Sequence, residues 1–282
     1  MAAQLIDGKK VAAEVHAEVA RDVAALALLG RTPGLGVLLV GADPASRVYV
    51  NMKRKACAKL GIHTEEVALA TDASQAEVMD ALERLNRDPK IDGILVQLPM
   101  PPQIDATAVL EAVAPDKDAD GFHPANMGRL FLGKGTLYPC TPLGCIRLLE
   151  SIAFDFKGKS AVVIGRSNIV GKPLASMLLA RHCTVSICHT RTVDLSGEVG
   201  RADLLVAAVG SPGAIKGAWI KPGAVVLDIG VNRVGDQLVG DVEFAPAAER
   251  ASHITPVPGG VGPMTIAMLM HNTVLLARRR LR

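Results

Sequence analysis

The chain has 282 residues, 49% hydrophobic but only 3% aromatic, enough for one large or two modest domains with cores of Ala, Val, Leu and Ile. A formal net charge of +3 is too weak to argue for nucleic acid, and no apolar run approaches the length of a membrane span. The five cysteines, Cys57, Cys140, Cys145, Cys183 and Cys188, form no Cys-x-x-Cys pair, which points to free thiols in a reducing cytoplasm rather than disulfides or zinc.

The opening "MAAQLIDGKKVAAEV" turns polar at once and does not read as a signal peptide. "LGVLLVG" (35–41) reads as a buried strand, followed by a helical pattern from Ser46 to Leu60 that Gly61 ends. "HTEEVALA" is a weaker strand. "SQAEVMDALERLNRD" predicts a helix with Ser74 as N-cap and Glu77 at the capping-box position. "IDGILVQLPMPP" is a strand running into a proline-rich turn, a short helix starts at Asp105, and "APDKDADGFHPANMG" reads as loop. Strands alternating with helices predict a parallel sheet.

"PCTPLGCIRLLES" predicts a helix with Thr141 as N-cap and Pro142 at the first helical position. Strands follow at 160–165, 184–188, 203–209 and 224–230, with a helix at 170–181 and a small hairpin in "NRVGDQLVGDV". "ITPVPGGVGPMTIAMLMHNTVLLARRR" predicts an extended piece, a glycine turn and a final amphipathic helix, whose basic end suits a helix C-terminus. The expected fold class is α/β, two α/β domains flanking a cleft, the usual place for a ligand. Residues 1–120, completed by the last helix at 264–282, form the first domain, and 140–260 the second, a Rossmann-like one.

In "AVVIGRSNIVGKP", Gly165 permits a tight turn and Gly171 lets the next helix start close to the sheet, so backbone N–H groups can meet a pyrophosphate. The spacing differs from G-x-G-x-x-G, and from this pattern alone an ordinary strand-to-helix turn is an equal reading. The next strand, "TVSIC", ends in "HTRT", where an NAD site places an acidic residue for the ribose hydroxyl. Thr190 and Arg191, with Arg166 in the first turn, suit a 2′-phosphate, which favours NADP; His189 also reads as a half-buried residue at a strand end. Val231, just past another strand, falls where a nicotinamide or ribose could rest.

Tyr49 and Lys53 stand four residues apart in "SRVYVNMKRKA". On a wheel of about 100° per residue, Val48, Met52, Ala56, Tyr49, Leu60, Lys53, Ser46, Cys57 and Val50 occupy one half, with Lys53 amid apolar neighbours. A lysine there loses hydration, which lowers its pKa and fits it for general-base work. The other reading is a lysine whose stem packs while its head reaches solvent. Gln97 lies at the C-terminal end of a buried strand, where ligands gather in α/β sheets, or serves as a turn-stabilising amide. Asp116, Asp118 and Asp120 lack the distal Glu of a calcium loop, so no metal is expected, and one of them could accept two N–H donors from a heterocycle.

"YVNMK", "DGILVQLPMP", "KDADGF", "GRSNIVGKP", "DIGVNR" and "PVPGGVGPMT" resemble the bifunctional methylenetetrahydrofolate dehydrogenase/methenyltetrahydrofolate cyclohydrolase family, nearly end to end. The resemblance implies NADP-dependent oxidation of 5,10-methylenetetrahydrofolate to the methenyl compound, then hydrolysis to 10-formyltetrahydrofolate. It implies that Lys53 assists hydrolysis, Tyr49 stacks on or orients the folate, Gln97 tunes the lysine and Asp120 grips the pterin. Val96, Leu98 and the run Pro258, Gly259, Gly260, Val261 and Gly262 would border the folate, and Gly165, Arg166, Ser167, Thr190 and Val231 the cofactor. Thr190 stands where the family often has Ser, which keeps the hydroxyl. The resemblance also implies a homodimer formed through the nucleotide domain. Two other readings remain: a dehydrogenase without the hydrolytic step, and a nucleotide-sensing regulator, against which Tyr49, Lys53, Gln97 and Asp120 all count.

Overall fold

The computed structural model describes residues 2–41 and 43–281. In chain order the first elements are β1 (Gln4–Leu5), α1 (Gly8–Leu28), β2 (Gly34–Val40), α2 (Pro44–Leu60), β3 (His63–Leu69), α3 (Gln75–Arg87) and β4 (Gly93–Val96). Then come α4 (Ala106–Ala112), α5 (Pro124–Phe131), α6 (Cys140–Ser151), β5 (Ser160–Ile164), α7 (Gly171–Leu179), β6 (Thr184–Cys188), α8 (Leu195–Gly200) and β7 (Leu204–Ala207). The last are β8 (Val225–Asp228), β9 (Asn232–Val234), β10 (Gln237–Val239), α9 (Phe244–Ala248), β11 (His253–Ile254) and α10 (Val261–Arg279).

The chain divides into two compact units: Met1–Ala13, Leu130–Lys134 and Thr141–Thr265 in one, Glu14–Arg129, Gly135–Cys140 and Ile266–Arg282 in the other. The first unit holds a six-stranded sheet in the order β1-β11-β8-β7-β5-β6, every pairing parallel. β7 and β8 are buried along their whole length, as parallel strands covered on both faces must be. Val162, Ile164, Leu205, Val226 and Ile254 lie in its core. The chain steps from β5 to β6 on one side, then crosses to β7 on the other side of β5. That reversal makes the ends of β5 and β7 a topological switch point, the usual ligand position in open α/β sheets.

The second unit holds the parallel sheet β3-β2-β4. Its core packs Leu38, Val78, Leu82, Leu85, Ile94 and Val109. The capping box at Ser74 is present: the Glu77 N–H donates to Ser74 Oγ at 3.3 Å, and the Ser74 N–H donates to Glu77 Oε2 at 2.8 Å.

Three expectations need correction, and one helix stands where no element was expected. β1, placed by sequence in the first domain, pairs with β11 in the six-stranded sheet, and the Ile6 N–H donates to the Ile254 carbonyl at 2.9 Å; two residues are too few to show a strand pattern. α1 was not anticipated, although Val11, Val15, Val19, Val23 and Leu26 recur at helical spacing and are all buried. Thr141 is not an N-cap: α6 already begins at Cys140, and the Thr141 hydroxyl pairs with that of Thr265 at 2.9 Å. Finally, the last part of the stretch read as loop is the beginning of α5, and before it Asp118 forms a parallel bridge with Ile94, which lays residues 117–119 beside β4.

Candidate active site

α2 presents Leu60, Lys53, Ser46, Cys57 and Val50 inward, each 9% exposed or less. Val48, Tyr49 and Met52, expected on the same side, are 58%, 43% and 46% exposed, so the buried stripe is narrower than the apolar arc. Lys53 stays within it, and the Tyr49 ring remains open to a flat ligand. Lys53 Nζ donates to Gln97 Oε1 at 3.0 Å. Gln97 is held from two sides: its N–H donates to the Leu38 carbonyl at 2.9 Å and its side-chain Nε2 to the Leu98 carbonyl at 2.5 Å. With the amide nitrogen so engaged, the oxygen turns to the lysine. Val96 is buried at the end of β4, and Leu98 is half-buried.

Asp120 follows the segment laid beside β4. The turn after it is built by Asp118, whose Oδ1 accepts the N–H groups of Gly121 at 3.0 Å and Phe122 at 3.1 Å. Asp118 Oδ2 accepts the His123 N–H at 2.9 Å and Asn126 Nδ2 at 2.8 Å. Gly121 has φ +75°, and a Cβ there would come within 2.7 Å of the Tyr138 and Pro139 backbone, so the turn needs glycine. Of the three loop carboxylates, Asp118 is thus committed to the backbone and Asp116 is exposed, which leaves Asp120 beside Lys53.

Asp120 keeps some solvent contact, yet the surrounding protein pushes its carboxyl up to about 7; burial dominates, the Lys53 charge opposes it, and the Asp118 charge adds to it. Burial likewise lowers the Lys53 ammonium, against the attraction of Asp120 and Cys140. Burial drives acid and base both toward their neutral forms, while their mutual attraction opposes it. The Cys140 thiol is raised well above its ordinary value, by burial first and the Asp120 charge next, so it is no thiolate nucleophile. Asn272 Nδ2 donates to the carbonyls of Ala119 and Tyr138, each at 2.9 Å, and steadies the backbone next to Asp120.

In the other unit, Gly165 ends β5 with φ +123°, and its N–H donates to the Cys188 carbonyl at 2.9 Å, across to β6. A Cβ on Gly165 would lie 2.2 Å from the Ala208 carbonyl oxygen, and one on Gly171 only 2.0 Å from the Gly165 oxygen. The backbone is therefore bare and closely folded at the switch point. Ser167 Oγ accepts the N–H groups of Val170 at 3.1 Å and Gly171 at 3.3 Å, which orders the start of α7. Arg166, Thr190, Arg191 and Val231 are exposed past the ends of β5, β6 and β8, and His189 is half-buried, its Nδ1 accepting the Arg191 N–H at 3.1 Å. Two glycines in close backbone contact, with cationic and hydroxyl side chains around them, fit a phosphorylated dinucleotide.

Pro258 and Gly262 are exposed, Gly259 is half-buried, and Gly260 and Val261 are buried. Gly260 is shut in, because a Cβ there would lie 2.6 Å from the Pro256 oxygen. The turn's shape rests on Gly260 and Val261, and its accessible surface on Pro258 and Gly262. Among the described residues no group of three or more His, Cys, Asp or Glu could hold a metal ion, and no helix is long and apolar enough to cross a membrane.

Residues 6–120 match the tetrahydrofolate dehydrogenase/cyclohydrolase catalytic domain, and residues 139–281 match the NAD(P)-binding domain of the same family. The chain belongs to the tetrahydrofolate dehydrogenase/cyclohydrolase family. A relative from Geotalea uraniireducens, named bifunctional protein FolD, is 59% identical over 279 residues, covering 99% of this chain and 100% of its own. Among solved structures, the bifunctional FolD methylenetetrahydrofolate dehydrogenase/cyclohydrolase of Campylobacter jejuni is 45% identical with a TM-score of 0.97, covering 99% of this chain and 100% of that one. The Trypanosoma brucei enzyme, complexed with NADP cofactor and an inhibitor, is 39% identical with the same TM-score of 0.97, covering 100% of this chain and 99% of its own. The family's catalytic-domain match spans Tyr49, Lys53, Gln97 and Asp120, and its NAD(P)-binding match spans Gly165, Arg166, Ser167, Thr190 and Val231.

Proposed function

We infer that this chain oxidises 5,10-methylenetetrahydrofolate to 5,10-methenyltetrahydrofolate with NADP⁺ and hydrolyses that product to 10-formyltetrahydrofolate. The observation that carries the hydrolytic half is the hydrogen bond of buried Lys53 to half-buried Gln97, beside Asp120. Bound NADP⁺ supplies the hydride acceptor. We assign the folate chemistry to the unit that holds Lys53 and cofactor binding to the unit that holds Gly165.

In hydrolysis, water adds to the methenyl carbon and loses a proton to the neutral amine of Lys53. The hydroxyl of that adduct then gives up its proton as the C–N bond of the five-membered ring breaks and the formyl carbonyl forms; one of water's two protons ends on the departing nitrogen, and the other leaves to solvent, which returns Lys53 to the neutral amine. Gln97 Oε1 holds the amine in place through the cycle, and a neutral amine sets no fixed positive charge beside a cationic carbon. Asp120, protonated for part of the time near neutral pH, can both donate to and accept from a pterin edge. Tyr49 offers its open face to the folate ring.

Arg166 is assigned to the 2′-phosphate. Losing one charge-assisted contact, Arg166→Ala should raise the KM for NADP⁺ about tenfold and that for NAD⁺ little. An equal change for both cofactors in steady-state assays would remove Arg166 from phosphate recognition.

We further propose a homodimer through the cofactor-binding unit, working in the cytoplasm. β6 is an edge strand with Ile187 43% exposed, the kind of edge proteins cover. All five cysteines are buried free thiols, which suits a reducing compartment. Ile187→Lys should shift the sedimenting species from dimer to monomer; a dimer that persists unchanged would place the interface elsewhere.

A further inference from the structure

The hairpin of β9 and β10 delivers Gly240 and Asp241 beneath two loops at the C-terminal end of the six-stranded sheet. The Asp241 carboxylate is fully buried. Its Oδ2 accepts the N–H groups of Val209 at 2.6 Å and Gly210 at 3.0 Å, and its Oδ1 accepts the Ser211 N–H at 2.9 Å and Asn232 Nδ2 at 2.9 Å. Three of these donors belong to the loop after β7, which packs on Gly165 through the Ala208 carbonyl; the fourth follows Val231 after β8. Asp228, itself buried, ties the hairpin down: its Oδ1 accepts the N–H groups of Gly230 at 3.0 Å and Asp241 at 2.9 Å, and its Oδ2 accepts the Val242 N–H at 2.9 Å. A Cβ on Gly230 would lie 2.2 Å from the Asp241 carboxyl, so this loop rests directly on the carboxylate.

We propose that Asp241 is a positioning residue for the cofactor: its carboxylate joins the loops after β7 and β8 into one rigid rim and so holds the backbone around Gly165 and Val231 in its binding shape. The proposal rests on the cofactor site assigned above. Asp241 itself is closed off from any ligand by the loops it binds. A carboxylate is needed because four N–H donors converge on two oxygens. An asparagine would turn an NH₂ group toward N–H groups that need an acceptor.

The test is calorimetric titration of the full chain with NADP⁺, beside steady-state assays of both reactions. Asp241→Asn should weaken NADP⁺ binding about tenfold and raise its KM in step, while hydrolysis of the methenyl compound without cofactor stays within about twofold. Asn232→Ala removes one donor without stranding the carboxylate, and should weaken NADP⁺ about threefold should the first variant not fold. Unchanged NADP⁺ affinity in a folded variant overturns the proposal, as does an equal fall in cofactor-free hydrolysis, which would mark Asp241 as a support of the whole protein. No binding by the unaltered chain would defeat the cofactor assignment itself, a failure visible before any variant is made.

Discussion

Lys53→Met is expected to lower hydrolysis of the methenyl compound by about 10²–10⁴-fold, the usual contribution of a positioned general base. Methionine follows the lysine stem closely in length and is apolar, so it can occupy a position only 9% exposed without opening a cavity. Stability should hold or rise. The folded-state pKa of Lys53 lies below its unfolded value, so the charged form disfavours folding at every pH below that folded pKa, and the penalty fades only as pH rises toward the unfolded value. Methionine removes the penalty wherever the charged form carries it. A variant as stable as the parent yet unable to hydrolyse, followed by the slow loss of the methenyl absorbance band, isolates the chemistry of the amine. Undiminished hydrolysis would sink its assignment as the base.

Asp118→Ala is expected to cost about 3 kcal/mol of unfolding free energy, read from urea midpoints, and to weaken folate binding as well. The carboxylate serves three backbone N–H groups and one amide, and its loss leaves them in a setting where each unpaired donor costs about 1–3 kcal/mol, offset in part by water that enters the gap. The turn at Gly121 then loses its organiser, and Asp120 loses its fixed approach to Lys53. A loss under about 1 kcal/mol would show that Gly121 and the segment beside β4 hold the turn unaided.

Much of this was legible in the chain. Alternating strands and helices disclosed the parallel sheets, Ser74 and Glu77 announced their capping box, and the inward place of Lys53 followed from the turn angle of a helix. Each is a local signal, carried by residues a few positions apart. The parts that escaped depend on distant partners. Apart from the family resemblance, which points to Asp120, nothing in "KDADGF" separates the carboxylate that builds the turn from the one that faces Lys53, because only the fold supplies the Asp118 donors and the Lys53 neighbour. Asp241, in the plain sequence "VGDV", gains meaning only once the loops after β7 and β8 close over it. The exposed arc of Val48, Tyr49 and Met52 shows the opposite limit: an apolar stripe marks where burial is possible and leaves open which part of it is used.

The pairing of β1 with β11 bears on how the protein is made. One unit draws on residues 1–13 and 141–265, the other on 14–129 and 266–282, so no uninterrupted half of the chain contains a whole unit. On the ribosome, the six-stranded sheet lacks its outer pair until Ile254 has emerged, and the unit around Lys53 lacks the amide that steadies the Asp120 backbone until Asn272 has emerged. Such late closure of sequence-distant contacts slows folding. A cut at the middle of the chain would leave exposed apolar sheet faces on both products, and because the segments of the two units alternate along the chain, each unit could be made alone only by relinking its own segments, not by a stop codon.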